Sequence, residues 1–163
     1  MTTVDFYLKT YEFGRGRTLA LLDAMGNLPD PTDALAWRPG PGRAHIAWQL
    51  MHIAITEDVF ATERIAPHKT GRWKDHWPRF RGGSVPDDDV PSAETIRTAL
   101  AESREQLIET LREWPEERLD EIPPAMAERG WSVRTALNVL AWHEAHHQGQ
   151  AHLTLNLYKG SRA

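Results

Sequence analysis

Near its C-terminal end the chain reads Trp142-His143-Glu144-Ala145-His146-His147-Gln148-Gly149-Gln150. This stretch lies inside a series of regularly spaced residues: Val133, Ala136, Leu140, His143, His147, Ala151, Leu155 and Tyr158. Every step in the series is three or four residues, the period of one face of an α-helix. Two histidines therefore occupy positions that the rest of the stripe gives to core residues. A buried imidazole without a partner costs about 1–3 kcal/mol, so a pair of them calls for a common partner. Histidines at i and i+4 on one helical face can share a metal ion. The plain alternative is that His-x-x-x-His arose by chance on a surface helix. His146 points about 100° away from His147 and reads as a flanking residue.

The same residues spell His-Glu-x-x-His, the zincin peptidase pattern, in which the glutamate is the general base. Its usual continuations are missing. Leu153 stands where the metzincin histidine would fall, and no Asp or Glu follows Glu144. A third ligand has to come from upstream, which is not how zincins are built.

Upstream, residues 132–158 form the last of four expected helices, opened by Trp131-Ser132 with Ser132 as N-cap. Before it, residues 92–114 read as a helix capped by Ser92, with Ile96, Leu100, Leu107 and Leu111 inward and Pro115 ending it. Residues 44–65 are apolar nearly all round, the mark of a central helix. Their polar residues fall on one narrow stripe: His45, Gln49, His52 and Thr56. A solvent-facing edge would read the same way, but such an edge usually carries Lys, Glu or Arg, and this one carries none. Glu57 and Asp58 lie on the adjacent flank. Residues 3–26 read as a first helix with Val4, Leu8, Tyr11, Leu21, Leu22 and Met25 buried. Gly14 and Gly16 weaken it by about 1 kcal/mol each, unless they admit a close neighbour.

Three connections complete the chain. Residues 27–43, with four prolines and two glycines, form one, and residues 115–130 another. The longest, residues 66–91, has no periodicity. Its Trp73, Trp77 and Phe80, interleaved with Arg72, Lys74, Arg79 and Arg81, argue against disorder. It reads either as a segment pinned to the bundle or as a lid over a substrate. His68 and His76 within it read as surface residues. With no strand alternation and no repeat, the expected architecture is an all-α four-helix bundle, a single domain over residues 1–163.

Composition narrows the function classes. A net charge of −4 and a pI near 6.0 give no electrostatic footprint for nucleic acid. No apolar run approaches the roughly 18 residues of a membrane span, and residues 1–20 carry no signal-peptide pattern. The absence of cysteine removes disulfides, thiolate ligands and a cysteine nucleophile, and the cytoplasm is the expected compartment.

Three motifs in order resemble the DinB/YfiT-like family of small bacterial metal-binding bundles: LMHIAITED in the second helix, GWSVRTALN opening the last, and WHEAHHQGQ within it. The resemblance covers essentially the whole chain. It implies one divalent metal ion per chain, zinc or nickel, held by His52, His143 and His147, with His45 as a competing ligand or a cavity residue. Three neutral imidazoles leave a coordination position open, as in catalytic sites. Such an ion can lower the pKa of a bound water to about 7, or deprotonate a bound thiol. Family members with known activity are similar to thiol-dependent S-transferases, so the resemblance implies a small-molecule substrate with a low-molecular-weight thiol as cosubstrate. Gln49, Glu57 and Glu144 are the candidate bases or supporting partners. A homodimer is implied as well, and an apolar second helix, together with seven tryptophans in the whole chain, agrees with exposed interface surface. The alternatives are a metal- or ligand-binding stress protein without catalysis and, with least support, a metallopeptidase or other hydrolase.

Overall fold

A computed structural model describes residues 1–163. Four long helices carry the fold: α1 (Thr3–Gly26), α3 (Ile46–Val59), α5 (Ala93–Glu113) and α6 (Val133–Arg162). Two short ones, α2 (Pro31–Ala36) and α4 (Trp77–Phe80), lie in the connections. There is no strand. The expected N-caps are in place: Ser92 Oγ accepts from Thr95 N at 3.1 Å and Ser132 Oγ from Thr135 N at 3.2 Å. Helix α6 runs four residues past the expected end at Tyr158. The connection at residues 27–43 is not structureless, because Asp30 caps α2 and Pro31 starts it.

Cross-helix contacts fix the directions. Thr3 meets Arg134, Tyr7 meets Asn138 and Arg15 meets Glu144, so α1 and α6 run parallel. Gln49 meets His147 and Thr56 meets His143, so α3 opposes α6. Arg15 meets Leu100 and Asp23 meets Arg97, so α5 opposes α1. Consecutive helices α3 and α5 are therefore parallel, and this accounts for the long segment between them. The chain has to travel back about 30 Å, the length of α3 and its continuation, before α5 can begin.

The return path is pinned along its length. Asp58, fully buried, accepts from the backbone N–H of Arg72 and Trp73 at 3.0 and 3.1 Å and from Trp77 Nε1 at 2.8 Å. Farther along, Trp48 Nε1 donates to Arg79 O at 3.1 Å, and His45 Nε2 reaches Asp87 O at 3.0 Å. Gly71 is obligatory here, since a Cβ would lie 2.6 Å from the Trp77 ring and closer still to the Asp58 carboxylate. Gly14 has no such role: its Cβ would stand at an ordinary 3.9 Å from Glu144.

The core is divided. One apolar cluster gathers Leu21, Leu22 and Met25 of α1, most of α3, Ile96 and Leu100 of α5, and Leu155 and Tyr158 of α6. A second takes Val4 and Tyr11, Phe60, Leu107 and Leu111, and Val133 to Leu140 at the other end. Between them each long helix contributes polar residues to a belt across the bundle. Every α3 residue except Thr56 is at least nine-tenths buried within the chain, so its apolar surface is spent inside the bundle and supplies no interface.

Candidate metal site

The polar belt has two halves, and the stretch 143–147 serves both because successive residues on a helix point about 100° apart. On the first half, Arg15 (α1), Glu57 (α3), Arg104 (α5) and Glu144 (α6) meet, one side chain from each long helix. Arg15 reaches Glu144 at 2.8 Å and Glu57 at 3.0 Å; Arg104 reaches Glu144 at 2.6 Å and also grips Glu57. Thr18 Oγ1 donates to Glu144 at 2.8 Å. Burial alone would push the Glu57 carboxyl up, but Arg15 and Arg104 hold it below the usual carboxylate range. Two cations and two anions cancel, and every helix is held in register with the other three.

Glu144 and Glu57, the candidate bases or supporting partners, are placed in this arrangement and not beside the three histidines. The oxygens of Glu144 are taken by two guanidinium groups and a hydroxyl, and those of Glu57 by the same two guanidinium groups. The zincin reading of His143-Glu144-x-x-His147 fails for the same reason. Arg15, Thr18 and Arg104 escaped the sequence reading. The available signal was charge or polarity at core spacing: Arg15 follows Tyr11 by four residues, and Arg104 follows Leu100 by four.

On the second half, α3 and α6 bring His52, His143 and His147 together, with one ring nitrogen from each within 4.8 Å of the others. His52 Nε2 and His143 Nε2 are 3.1 Å apart. Ligands about 2.0–2.1 Å from a tetrahedral ion stand roughly 3.4 Å from one another. The trio thus fits one divalent ion after small rotations of the rings. Two of the rings are oriented from behind. His52 Nδ1 donates to Phe80 O at 2.6 Å, and His147 Nδ1 donates to Gln49 Oε1 at 2.5 Å. Each bond commits one ring nitrogen to the proton and leaves Nε2 bare as a ligand, the usual arrangement behind metal-bound histidine. Gln49 is in this way a positioning residue for His147.

Electrostatics favour the ligating form. Burial, then the neighbouring His52 and His147, lower His143 to about 3. Burial, then His52, lower His147 to about 4. Burial also lowers His52, against the pull of the Phe80 carbonyl. All three rings are neutral near pH 7. His52 is buried, whereas His143 and His147 are half-exposed, so the trio opens outward.

The remaining histidines stand apart. His45 does not compete as a ligand: Nδ1 accepts from Trp48 N at 3.0 Å as the N-cap of α3, and Nε2 is turned to Asp87 O. His146 is exposed, stacked on Trp142 at 4.8 Å and bonded to Gln150. Neither His68 nor His76 joins the cluster. The lid reading of residues 66–91 is also corrected. Arg72 pairs with Glu105 and Glu109, Arg79 with Asp87 and Asp89, and the indoles of Trp73 and Trp77 donate to Glu102 and Asp58. Arg72, Arg79, Trp73 and Trp77 are thus tied to the bundle or to the segment itself rather than turned to the histidines. Arg81 alone of this segment's arginines turns to the site, lining with Gly82 a cavity of about 300 Å³ that has His52, Thr56 and His143 at its inner end.

The all-α bundle thus brings three histidines from two of its helices into a group that could hold a metal ion. The chain is a member of the DinB superfamily, whose family model matches residues 10–151. None of the curated proteins matches it in sequence. Its fold is similar to the crystal structure of a conserved protein from Enterococcus faecalis, at 18% identity and a TM-score of 0.72, over 98% of this chain and 99% of that one.

Proposed function

We propose that this protein is a divalent-metal enzyme acting on small molecules, with one zinc or nickel ion on His52, His143 and His147 and a low-molecular-weight thiol as cosubstrate for S-transfer. The observation that carries the reading is the convergence of His52, His143 and His147, two of whose rings are oriented by Phe80 O and Gln49 Oε1, beside a cavity that His52 and His143 line. When bound, such an ion supplies Lewis-acid stabilisation of a sulfur or oxygen anion.

The choice of a thiol over water follows from what surrounds the trio. No carboxylate lines the cavity, and Glu144 and Glu57 are held in the ion-pair belt. Hydrolysis would therefore have no carboxylate base to assist the ion in deprotonating water. A thiol is already acidic enough to lose its proton to solvent. Its sulfur then forms the C–S bond while the leaving group departs with its electron pair. Thr56 Oγ1, 3.4 Å from His143 Nε2, is placed to donate a hydrogen bond to the incoming group.

The test starts with elemental analysis of untagged protein purified without added metal. Cobalt-substituted protein is then titrated with small thiols, and thioether formation from a chlorinated aromatic electrophile is followed. The expected result is about one ion per chain, a spectral change on thiol addition, and turnover that His143→Ala abolishes. Stoichiometric metal without any thiol effect would replace the transferase reading with that of a non-catalytic metal-binding protein.

A further inference from the structure

The cavity beyond the histidines has a chemical character of its own, which the metal reading leaves unexplained. Its walls are apolar and aromatic: Phe60, Met126, Trp131, Val139 and Trp142. Its outer part carries three guanidinium groups, Arg64, Arg81 and Arg129. Two local features put these residues there. Helix α3 continues into a π-helical turn over Phe60–Ile65, whose wider winding sets Phe60 and Arg64 on the cavity side; such turns often mark functional sites. Gly130, at φ +63, ends the preceding 3₁₀ turn in the left-handed conformation open to glycine, and so brings Arg129 and Trp131 to one rim.

The charge on this rim is unbalanced. Arg81 pairs with Glu63 at 3.1 Å, and Arg64 lies 3.6 Å from the same carboxylate. Arg129 has no carboxylate partner and stacks over the Trp131 ring, 4.9 Å from its centre. Three cations thus share one anion, around a cavity at the small end of the range for ligand pockets. A guanidinium held over an indole face, with no carboxylate of its own, can offer its N–H fork to a planar oxyanion in bidentate fashion.

From this we infer that the cavity selects a small carboxylate with an aromatic or flat apolar body. The carboxylate binds Arg129, with Arg81 and Arg64 adding positive potential. The body lies against Trp131, Trp142 and Phe60, and the far end of the molecule reaches the histidines. Only the assignment of that far end as the reacting end rests on the metal reading above.

Arg129 is exposed, so its substitution leaves the fold intact. Calorimetric titration of the full chain with benzoate and with benzamide, in zinc-containing and in chelator-containing buffer, separates the two ends. The expected result is at least tenfold tighter binding of benzoate in both buffers. Arg129→Gln removes this preference, and Trp131→Leu weakens both probes alike. Equal binding of the two probes overturns the inference. So does a preference confined to zinc-containing buffer that survives Arg129→Gln, because the anion then sits on the ion; that outcome leaves the metal reading in place. A preference that persists with chelator in a protein that never binds zinc supports the anion site and removes the metal reading.

Discussion

Glu144 is the residue for which two chemistries make opposite forecasts, and replacing it with alanine separates them. As the base of a His-Glu-x-x-His site, Glu144 would be needed for turnover and dispensable for stability. The structure assigns it to the ion-pair belt, where it accepts from Arg15 and Thr18 at 2.8 Å and from Arg104 at 2.6 Å. Glu144→Ala leaves Arg15 and Arg104, both about nine-tenths buried, facing Glu57 alone. Breaking a buried pair from one side costs about 3–5 kcal/mol, because a charge stays buried without compensation. Against the 5–15 kcal/mol that typically separates folded from unfolded chains, this is a large fraction. The assay is urea unfolding at pH 7, followed by far-ultraviolet circular dichroism, with metal content measured in parallel. Glu144→Ala should lose about 3–5 kcal/mol of stability while folded protein keeps its ion. A double variant, Glu144→Met with Arg104→Met, restores the charge balance and should recover most of the loss. A Glu144→Ala protein as stable as wild type, or a double variant no better than the single, would refute the reasoning.

Four further outcomes follow from the geometry. His52→Ala, His143→Ala and His147→Ala should each remove most bound metal; Gln49→Ala should weaken affinity about 10–100-fold by freeing the His147 ring, whereas His45→Ala should leave metal content unchanged and cost about 1 kcal/mol as a lost N-cap, all read by equilibrium dialysis and denaturation. In metal-free protein the lowered His143 and His147, near 3 and 4, mean that the unfolded chain takes up protons first as pH falls below about 6.5. Glu57, also lowered, adds stability that is present above the ordinary carboxylate pKa and lost as pH falls through its folded value. The urea midpoint should therefore drop steadily from pH 6.5 into the acid range, and His143→Leu should flatten its upper part. Gly71→Ala forces a Cβ onto Trp77 and Asp58 and should cost about 1–3 kcal/mol, with limited proteolysis cutting within residues 66–91 before any other segment. Finally, the proposed homodimer should use the exposed side of α6, where Trp142, Leu153 and Leu157 are 61%, 60% and 48% exposed; light scattering should return twice 18.6 kDa, and Leu153→Glu with Leu157→Glu should return a monomer.

The sequence alone was enough for the long helices and for two of the candidate ligands, since both are written in local spacing. A stripe at steps of three and four residues marks a buried helical face wherever it occurs, and Ser92 and Ser132 cap their helices with atoms three residues away. His143 and His147 share a face by the same arithmetic. His52 was named through its place on a polar stripe and through resemblance, and the structure brings it to the other two.

What local spacing leaves open is which face meets which neighbour, and here only the tertiary structure decides. Gln49 and Glu144 both sit near histidines in sequence. Packing turns the first to His147 and the second to Arg15 and Arg104 on two other helices. The aromatic and basic residues between 72 and 81 suit a lid as well as a strap. They became a strap because α3 and α5 run parallel, and the chain that joins them must cross the bundle and be held there. Arg129 and Trp131 look like loop residues until α6 packs beside the π-helical end of α3 and encloses a cavity with them. Each of these outcomes depends on contacts between residues tens of positions apart, and their energies belong to the packed bundle rather than to any one stretch of chain.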